Sequence, residues 1–446
     1  NGLSHRLVRV VSADGVEQAG VIMADIDRAY AEISAKARHY DALFNYYDGR
    51  QPLVYAAERL REVFKRSDVH FTENWCRLVV DVTQERMQLG QITGPEQGQE
   101  ALDKILADNE IALISDTINE SLLITGEAYM TIWPADDGTL EIYANDPRIC
   151  TAIYDPAHPR TMLYAAKLFG ELDGTHRMVL YYPDRIENYH SPQRELSSAS
   201  SFVLDSTVPN EYGVIPVFHF RQGARGPRSD ISDVIPLQDA INKLLTDMMV
   251  AAEFGAFRQR WIITNASTDS LRNAPNEVWT VPAGGPGEQP SQVGEFSPTD
   301  LSNYLDAIDR LAGDISRVSR VPLHYFYAQG GFPSGEALMA MEAPLIFKAR
   351  EKLERIEPVW KHAIAFALTA AGVPCQPSDV TVAWQNVQIM QPKTEAEIHL
   401  LDIQAGIPLE TSLRRTGWSD EELADMQEAK GNIGESLLRQ FDQGAA

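Results

Sequence analysis

The chain has 446 residues, 44% of them hydrophobic, which is ample for the buried cores of two or three ordinary domains. Its formal charge is -24, with 63 acidic against 39 basic residues, and this argues against a DNA clamp or repressor, which needs clustered Lys and Arg on phosphates. Cys76, Cys150 and Cys375 are far apart and form no C-x-x-C pair, a pattern of buried thiols rather than a disulfide framework or cysteine zinc site. The longest apolar run, 363–368, is too short to cross a membrane, and no signal-peptide pattern opens the sequence.

In chain order, the spacing of Ile22, Ile26, Tyr30 and Ile33 predicts a helix over 19–44, ending at the turn Tyr46-Tyr47-Asp48-Gly49. A helix over 55–65 follows. Thr72-Glu73-Asn74 supplies a cap for another over 75–87, whose Trp75 and Cys76 suit a core. Two more helical stretches, 96–107 and 110–123, precede a change of period. Residues 126–133 and 140–143 alternate around Asp136-Asp137-Gly138, a hairpin signal. Further strands are predicted over 149–154, 162–171, 176–182, 185–190 and 214–221. Helices first and strands second give an α+β arrangement rather than alternating βαβ units.

The Gly- and Arg-containing loop 222–229 leads into two long amphipathic helices around a compact insertion. The first carries Leu237, Ile241, Leu244, Leu245, Met248 and Ala252, with Ser232 or Asp233 as its cap. The second opens at Ser297-Pro298-Thr299-Asp300 and continues through Leu301, Leu305, Ile308, Ala312, Ile315 and Val318. Each spans roughly 30 Å at 1.5 Å per residue. Between them, 260–264 and 278–281 read as strands and 282–290 as a Gly/Pro loop. A third long helix, 336–371, uses Leu338, Met341, Leu345, Ala349, Leu353, Ile356, Trp360 and Ile364, with kinks at Pro344 and Pro358. Residues 380–384 read as a strand returning to the earlier sheet, and 394–405, 419–430 and 435–441 as helices.

Four motifs, Tyr46-Tyr47-Asp48-Gly49, Asn74-Trp75-Cys76-Arg77-Leu78-Val79-Val80-Asp81, Gln238-Asp239-Ala240-Ile241-Asn242-Lys243 and Ser334-Gly335-Glu336-Ala337-Leu338, occur in an order and spacing that resembles the portal proteins of tailed double-stranded DNA bacteriophages, the branch common in phages of actinobacteria. The resemblance covers most of the chain. It implies an α+β, portal-like subunit: a wing over 1–229, a two-helix stem at 230–255 and 297–320, a small α/β clip at 256–296, and a tunnel loop at 321–335. A long kinked wing helix and returning strand follow over 336–395, and a helical crown over 396–446. It further implies a homo-oligomeric ring, usually of twelve copies, at one capsid vertex in the virion, assembled in the host cytoplasm. Double-stranded DNA passes through without sequence readout. The implied partners are the terminase large subunit, the major capsid protein and scaffold, and a head-tail adaptor. The resemblance implies no catalytic residue, metal, cofactor or membrane.

Several residues are candidates for contact. Gly330, Gly331 and Gly335 permit movement beside the bulky His324, Tyr325, Phe326 and Tyr327, and the resemblance makes this the channel-narrowing loop, with Gln329 to Ser334, including Phe332, facing the lumen and the four aromatics either beside the DNA or anchoring the loop in the neighbouring subunit. Lys348, Lys352 and Arg355 share a helix face and could touch phosphates; Glu351 and Glu354 beside them favour a solvated, ion-paired surface. Arg317 and Arg320 complement the negative end of the second long helix. Arg272, Asn273, Gln289 and Gln292, all expected to be exposed, are docking candidates on the clip. The rival reading, a metal-dependent phage nuclease or other DNA-processing enzyme, has only the pairs Asp25/Asp27 and Asp136/Asp137 as metal ligands, and both sit where solvated helix or turn residues are expected. No phosphate-binding G-x-x-x-x-G-K-[ST], H-E-x-x-H or G-x-S-x-G is present. An acidic lining suits a conduit, because it avoids wells that would stall a sliding duplex.

Overall fold

A computed structural model describes residues 6–11, 17–22, 25–52, 72–135, 137–223, 226–256, 260–264, 291–296, 300–326, 334–385, 392–415, 418, 423 and 426–427. In chain order come β1 (Arg6–Val11), β2 (Glu17–Ile22), α1 (Asp25–Tyr47), α2 (Trp75–Gln84), β3 (Leu89–Thr93), α3 (Gln99–Asp108) and α4 (Ile111–Thr125). The strands β4 (Glu127–Pro134), β5 (Leu140–Asn145), β6 (Cys150–Tyr154), β7 (Met162–Gly170), β8 (His176–Tyr181), β9 (Arg185–Ser191), β10 (Val203–Pro209) and β11 (Val217–Arg221) follow. The remainder is α5 (Ile235–Ala256), β12 (Arg260–Ile263), β13 (Gln292–Glu295), α6 (Ser302–Ser319), α7 (Gly335–Ala370), β14 (Thr381–Trp384), α8 (Pro392–Gln404) and α9 (Leu409–Arg415). The chain is α+β and divides into two compact units.

The larger unit comprises residues 1–44, 80–230 and 331–446. Its antiparallel sheets run β10-β9-β8-β7-β6 and β11-β4-β5, with β14-β3 and β1-β2 as separate pairs. Two hairpins use the same Asp-Gly-Thr turn: Asp137 and Asp173 each accept from the amide two residues on, Thr139 and Thr175, at 2.9 Å, with Gly138 and Gly174 left-handed between them. Gly126 closes α4 at φ +90°, and a Cβ there would lie 2.1 Å from the Arg228 nitrogen, so only glycine admits this close approach. It launches β4, whose first six residues are all buried. Against β11 and β4 lies α7. Trp360 meets Phe220 at 5.5 Å between ring centroids, and Phe366 meets Phe218 at 5.6 Å. Pro344 and Pro358 lie within α7, and neither has an N–H for the preceding turn.

The smaller unit comprises residues 45–79 and 231–330. Here α5 packs against α6, and between them in sequence sits the antiparallel ribbon β12-β13. Gly294 on β13 lies beneath the Trp261 ring; a Cβ would come within 2.4 Å of it. The missing side chain thus makes room for the indole across the ribbon.

Two expectations need correction. Residues 19–22 belong to strand β2, paired with β1 (Ile22 opposite Arg6), and the helix starts at Asp25; the β-branched Val21 and Ile22 take a non-local partner that helical periodicity cannot see. Strand β14 pairs with β3, not with the sheet of β4 and β5; β3 lies almost three hundred residues earlier and its burial does not alternate, so no local pattern marks it as the partner. Strand β10 was likewise missed: all seven residues are exposed, so no buried face imposes an alternating pattern. The strand facing β12 is β13 at 292–295, whereas 278–281 lies outside the described residues, as does the predicted helix 55–65.

Candidate functional site

Three of the four recognised motifs meet in the smaller unit. The first amides of a helix lack intrahelical acceptors. At the start of α2 the Trp75 amide donates to Gln238 Oε1 on α5 at 2.8 Å, and just ahead of the helix the Glu73 amide donates to Asn242 Oδ1 at 3.0 Å. Gln238 Nε2 returns a bond to the Glu73 carbonyl at 2.8 Å. Asn74 is the N-cap, its Oδ1 accepting from the Arg77 amide at 3.1 Å while its Nδ2 donates to the Tyr47 carbonyl at 2.7 Å. Gly49, at φ +73°, turns the chain tightly against Asn74. Tyr46 completes the join, its hydroxyl donating to both Asp239 carboxylate oxygens at 2.9 and 3.0 Å. Gln238 and Asn242 are buried polar residues one turn apart on α5, a signal the apolar periodicity of that helix could not provide.

The same junction holds the exit from α6. Arg320 takes the left-handed conformation at φ +61°, and the buried Val321 is bonded back to the helix, its carbonyl accepting from Ser316 Oγ at 2.7 Å. A single 3₁₀ turn, Leu323–Tyr325, follows, with His324 and Tyr325 half-buried and their rings 4.5 Å apart. Phe326 is buried and meets Trp75 edge-on, centroids 5.6 Å apart at 79°. Tyr327, Gln329, Gly330, Gly331 and Phe332 lie outside the described residues. Ser334 is exposed in the larger unit and caps α7, its Oγ accepting from the Ala337 amide at 3.3 Å. Of the clip candidates, Gln292 is exposed on β13, while Arg272, Asn273 and Gln289 fall outside the described residues.

The lysine face needs correction. Lys348 and Lys352 are only 8% and 9% exposed, and both ammonium groups close on Asp230, at 2.8 and 2.6 Å. Lys348 also reaches Thr83 Oγ1 at 3.2 Å, and Lys352 donates to Gln222 Oε1. Burial lowers the Lys352 pKa against the attraction of Asp230. Burial would raise Asp230, but the two ammonium charges hold it below the usual range. These lysines reach neither phosphate nor solvent; they are interior ties that spacing on one helix could not distinguish from a surface pair. Arg355 remains half-exposed, bonded to the Gln222 carbonyl and paired with Glu351 at 2.6 Å.

Two further clusters carry the residue types of catalysis. Buried Glu127 receives Lys36 at 2.6 Å and His219 Nε2 at 3.1 Å, while His219 stacks on Tyr129 at 4.5 Å. Burial alone would raise the Glu127 carboxyl; the His219 hydrogen bond and the Lys36 charge bring it down to about 2. His219 is pushed down by burial, against the pull of Glu127. The cluster is sealed in the core and ties α1 to β4 and β11. In the second, Ser412 Oγ donates to Asp402 Oδ2 at 2.7 Å and lies 2.8 Å from His399 Nδ1. Its proton already rests on a carboxylate and its oxygen is buried, so His399 does not serve as the base of a nucleophilic triad. Asp25, one of the metal candidates, accepts from the Tyr182 hydroxyl at 2.8 Å, and Asp137 is engaged by Thr139. Among the described residues no group of three His, Cys, Asp or Glu could hold a metal ion, and no helix is long and apolar enough to cross a membrane.

Comparison with known proteins places these features. Residues 26–436 match the family described as phage portal protein, SPP1 Gp6-like. The chain belongs to that family. The portal proteins of Mycobacterium phage D29 and Mycobacterium phage L5 are each 25% identical to it, over 260 and 253 residues, covering 52% of this chain and 52% of each relative. The chain thus spans about half the length of the curated relatives it matches. Among solved structures, a chain from the neck of the native gene transfer agent (GTA) particle computed with C12 symmetry superposes with a TM-score of 0.48 at 12% identity, covering 86% of this chain and 94% of that one. A chain from the virion of the native GTA particle gives a TM-score of 0.45 at 11% identity, covering 74% and 84%.

Proposed function

We propose that the chain is a structural, non-enzymatic portal subunit, twelve copies of which close into a ring at one capsid vertex and pass double-stranded DNA during packaging and ejection. The single observation that carries this reading is the family match across residues 26–436. In it, α5 and α6 form the stem around the channel, the ribbon region 256–296 is the clip that docks the terminase large subunit and later the head-tail adaptor, and 321–335 is the loop that approaches DNA. Residues 1–229 and 336–395 form the wing facing the major capsid protein and scaffold, and 396–446 the crown. The virion is the destination and the host cytoplasm the place of assembly.

Two features of the chain support the reading. The charge of -24 suits a passage that does not grip phosphates, and burial of Lys348 and Lys352 removes two of the few cations expected at the DNA path. Apolar side chains on the ribbon and on α6, including Ile263, Val293 and Leu305, remain exposed in the single chain and suit contacts between copies that close by rotation. Negative-stain imaging with native mass measurement tests the proposal: the expected result is a ring with a central opening. A small closed oligomer that cleaves DNA with added magnesium would overturn it. Deletion of residues 329–332 is expected to leave the ring intact and impair DNA retention; loss of assembly would assign that stretch to structure instead.

A further inference from the structure

The motif junction and the exit from α6 share a residue. Trp75 stands at the first position of α2, where its amide is taken by Gln238, and its indole meets the ring of Phe326, the last described residue before 327–333, in a T-shaped contact. From Arg320 onward the exit segment carries the left-handed turn, the Ser316 bond to the Val321 carbonyl, the Val321 amide on Ser319 Oγ at 3.3 Å and one 3₁₀ turn whose Phe326 amide donates to the Leu323 carbonyl at 3.0 Å. Phe326, at the end of that turn, also makes the aromatic contact with Trp75.

We propose that Trp75 is a positioning residue for the segment that leaves α6. Its indole seats Phe326, and Gln238 and Asn242 of α5 hold the backbone from which the indole projects. The geometry makes α5 a partner in placing the chain ahead of 327–333, through hydrogen bonds to α2 and one edge-on ring contact. The functional consequence rests on the reading of 321–335 as the segment that approaches DNA. The seat itself stands on contacts within the smaller unit.

Hydrogen exchange measured peptide by peptide on the assembled full-length protein tests it. Trp75→Ala is expected to raise exchange across 321–326 by about tenfold or more while peptides from α7 stay unchanged. Trp75→Phe should restore most of the protection, since an aromatic edge contact is retained. Gln238→Ala should loosen 72–77 and 321–326 together. Where Trp75→Ala does not fold, Phe326→Leu reads the same contact from its other side. Unchanged exchange over 321–326 in a folded Trp75→Ala or Phe326→Leu protein, or an equal rise throughout the chain, would overturn the seat. Particles carrying the same variants are expected to lose packaged DNA; local loosening with normal DNA retention would overturn the assignment of 321–335 to the DNA path and leave the seat standing.

Discussion

Helices α6 and α7 both carry apolar residues at helical spacing, yet they dispose of them differently. From Leu345 onward α7 buries every apolar residue of its stripe, including Ala349, Ile356, Trp360 and Ile364, against strands that belong to its own unit. Of the apolar residues on α6 only Ile308, Ala312 and Ile315 are buried, while Leu305 and Val318 are half exposed at 51% and 50%. The ribbon of the same unit adds exposed Trp261, Ile263, Val293 and Phe296. Between these two helices, the stripe of α7 from Leu345 onward is covered within the chain, whereas α6 leaves apolar surface that a proposed neighbouring copy would cover. The lesson is that amphipathic period sets which residues share a face, and the covering element decides whether that face becomes core.

The contrast can be broken most severely at Trp360, which is fully buried. Trp360→Ala is expected to cost about 3–5 kcal/mol of unfolding free energy in denaturant titration, with the larger unit failing first. Asp230→Asn comes next: it leaves two buried ammonium groups facing a neutral amide, and a loss on the order of 3–5 kcal/mol is expected in the same assay. A third measurement uses pH. Glu127 is held at about 2 in the fold against 4.5 ordinarily, so its contribution is fully present above about 4.5 and disappears as pH falls toward 2. His219, whose pKa is lowered, adds loss of stability in the same direction as pH falls through about 6.5, because the unfolded chain then binds the extra proton. Thermal melts from pH 7 down to pH 3 should therefore show decreasing stability, with the acid limb shallower in Glu127→Gln. The smallest effect sharpens the other side of the comparison: Leu305→Ser and Ile263→Ser should change single-chain stability by only about 0.5 kcal/mol, yet lower the ring population in native mass measurement. Equal losses of chain stability for Leu305→Ser and Trp360→Ala would erase the distinction.

Much of the layout was legible without coordinates. The switch from period 3.6 to period 2 near Gly126, the Asp-Gly turn at 137–138 and the two long helices all follow from local rules. Other parts were not. Lys348, Lys352 and Arg355 share a helix face, and spacing alone allowed a surface; the decisive partner, Asp230, stands more than a hundred residues earlier. Strand β3 was hidden because its partner β14 is almost three hundred residues away, and β10 because it buries neither face. The motif residues Tyr46, Asn74 and Gln238 were visible as a pattern, but their joining at the start of α2 was not.

By itself, the order of residues determined the α+β class, the helix, insertion, helix arrangement and the family, because these depend on local periodicity, turn chemistry and motif spacing. Only the tertiary structure decided which cations are spent inside, which apolar faces stay uncovered and which aromatic seats Phe326. Those outcomes depend on what distant segments bring alongside, and burial free energy and ion pairing act through space, without regard to separation along the chain.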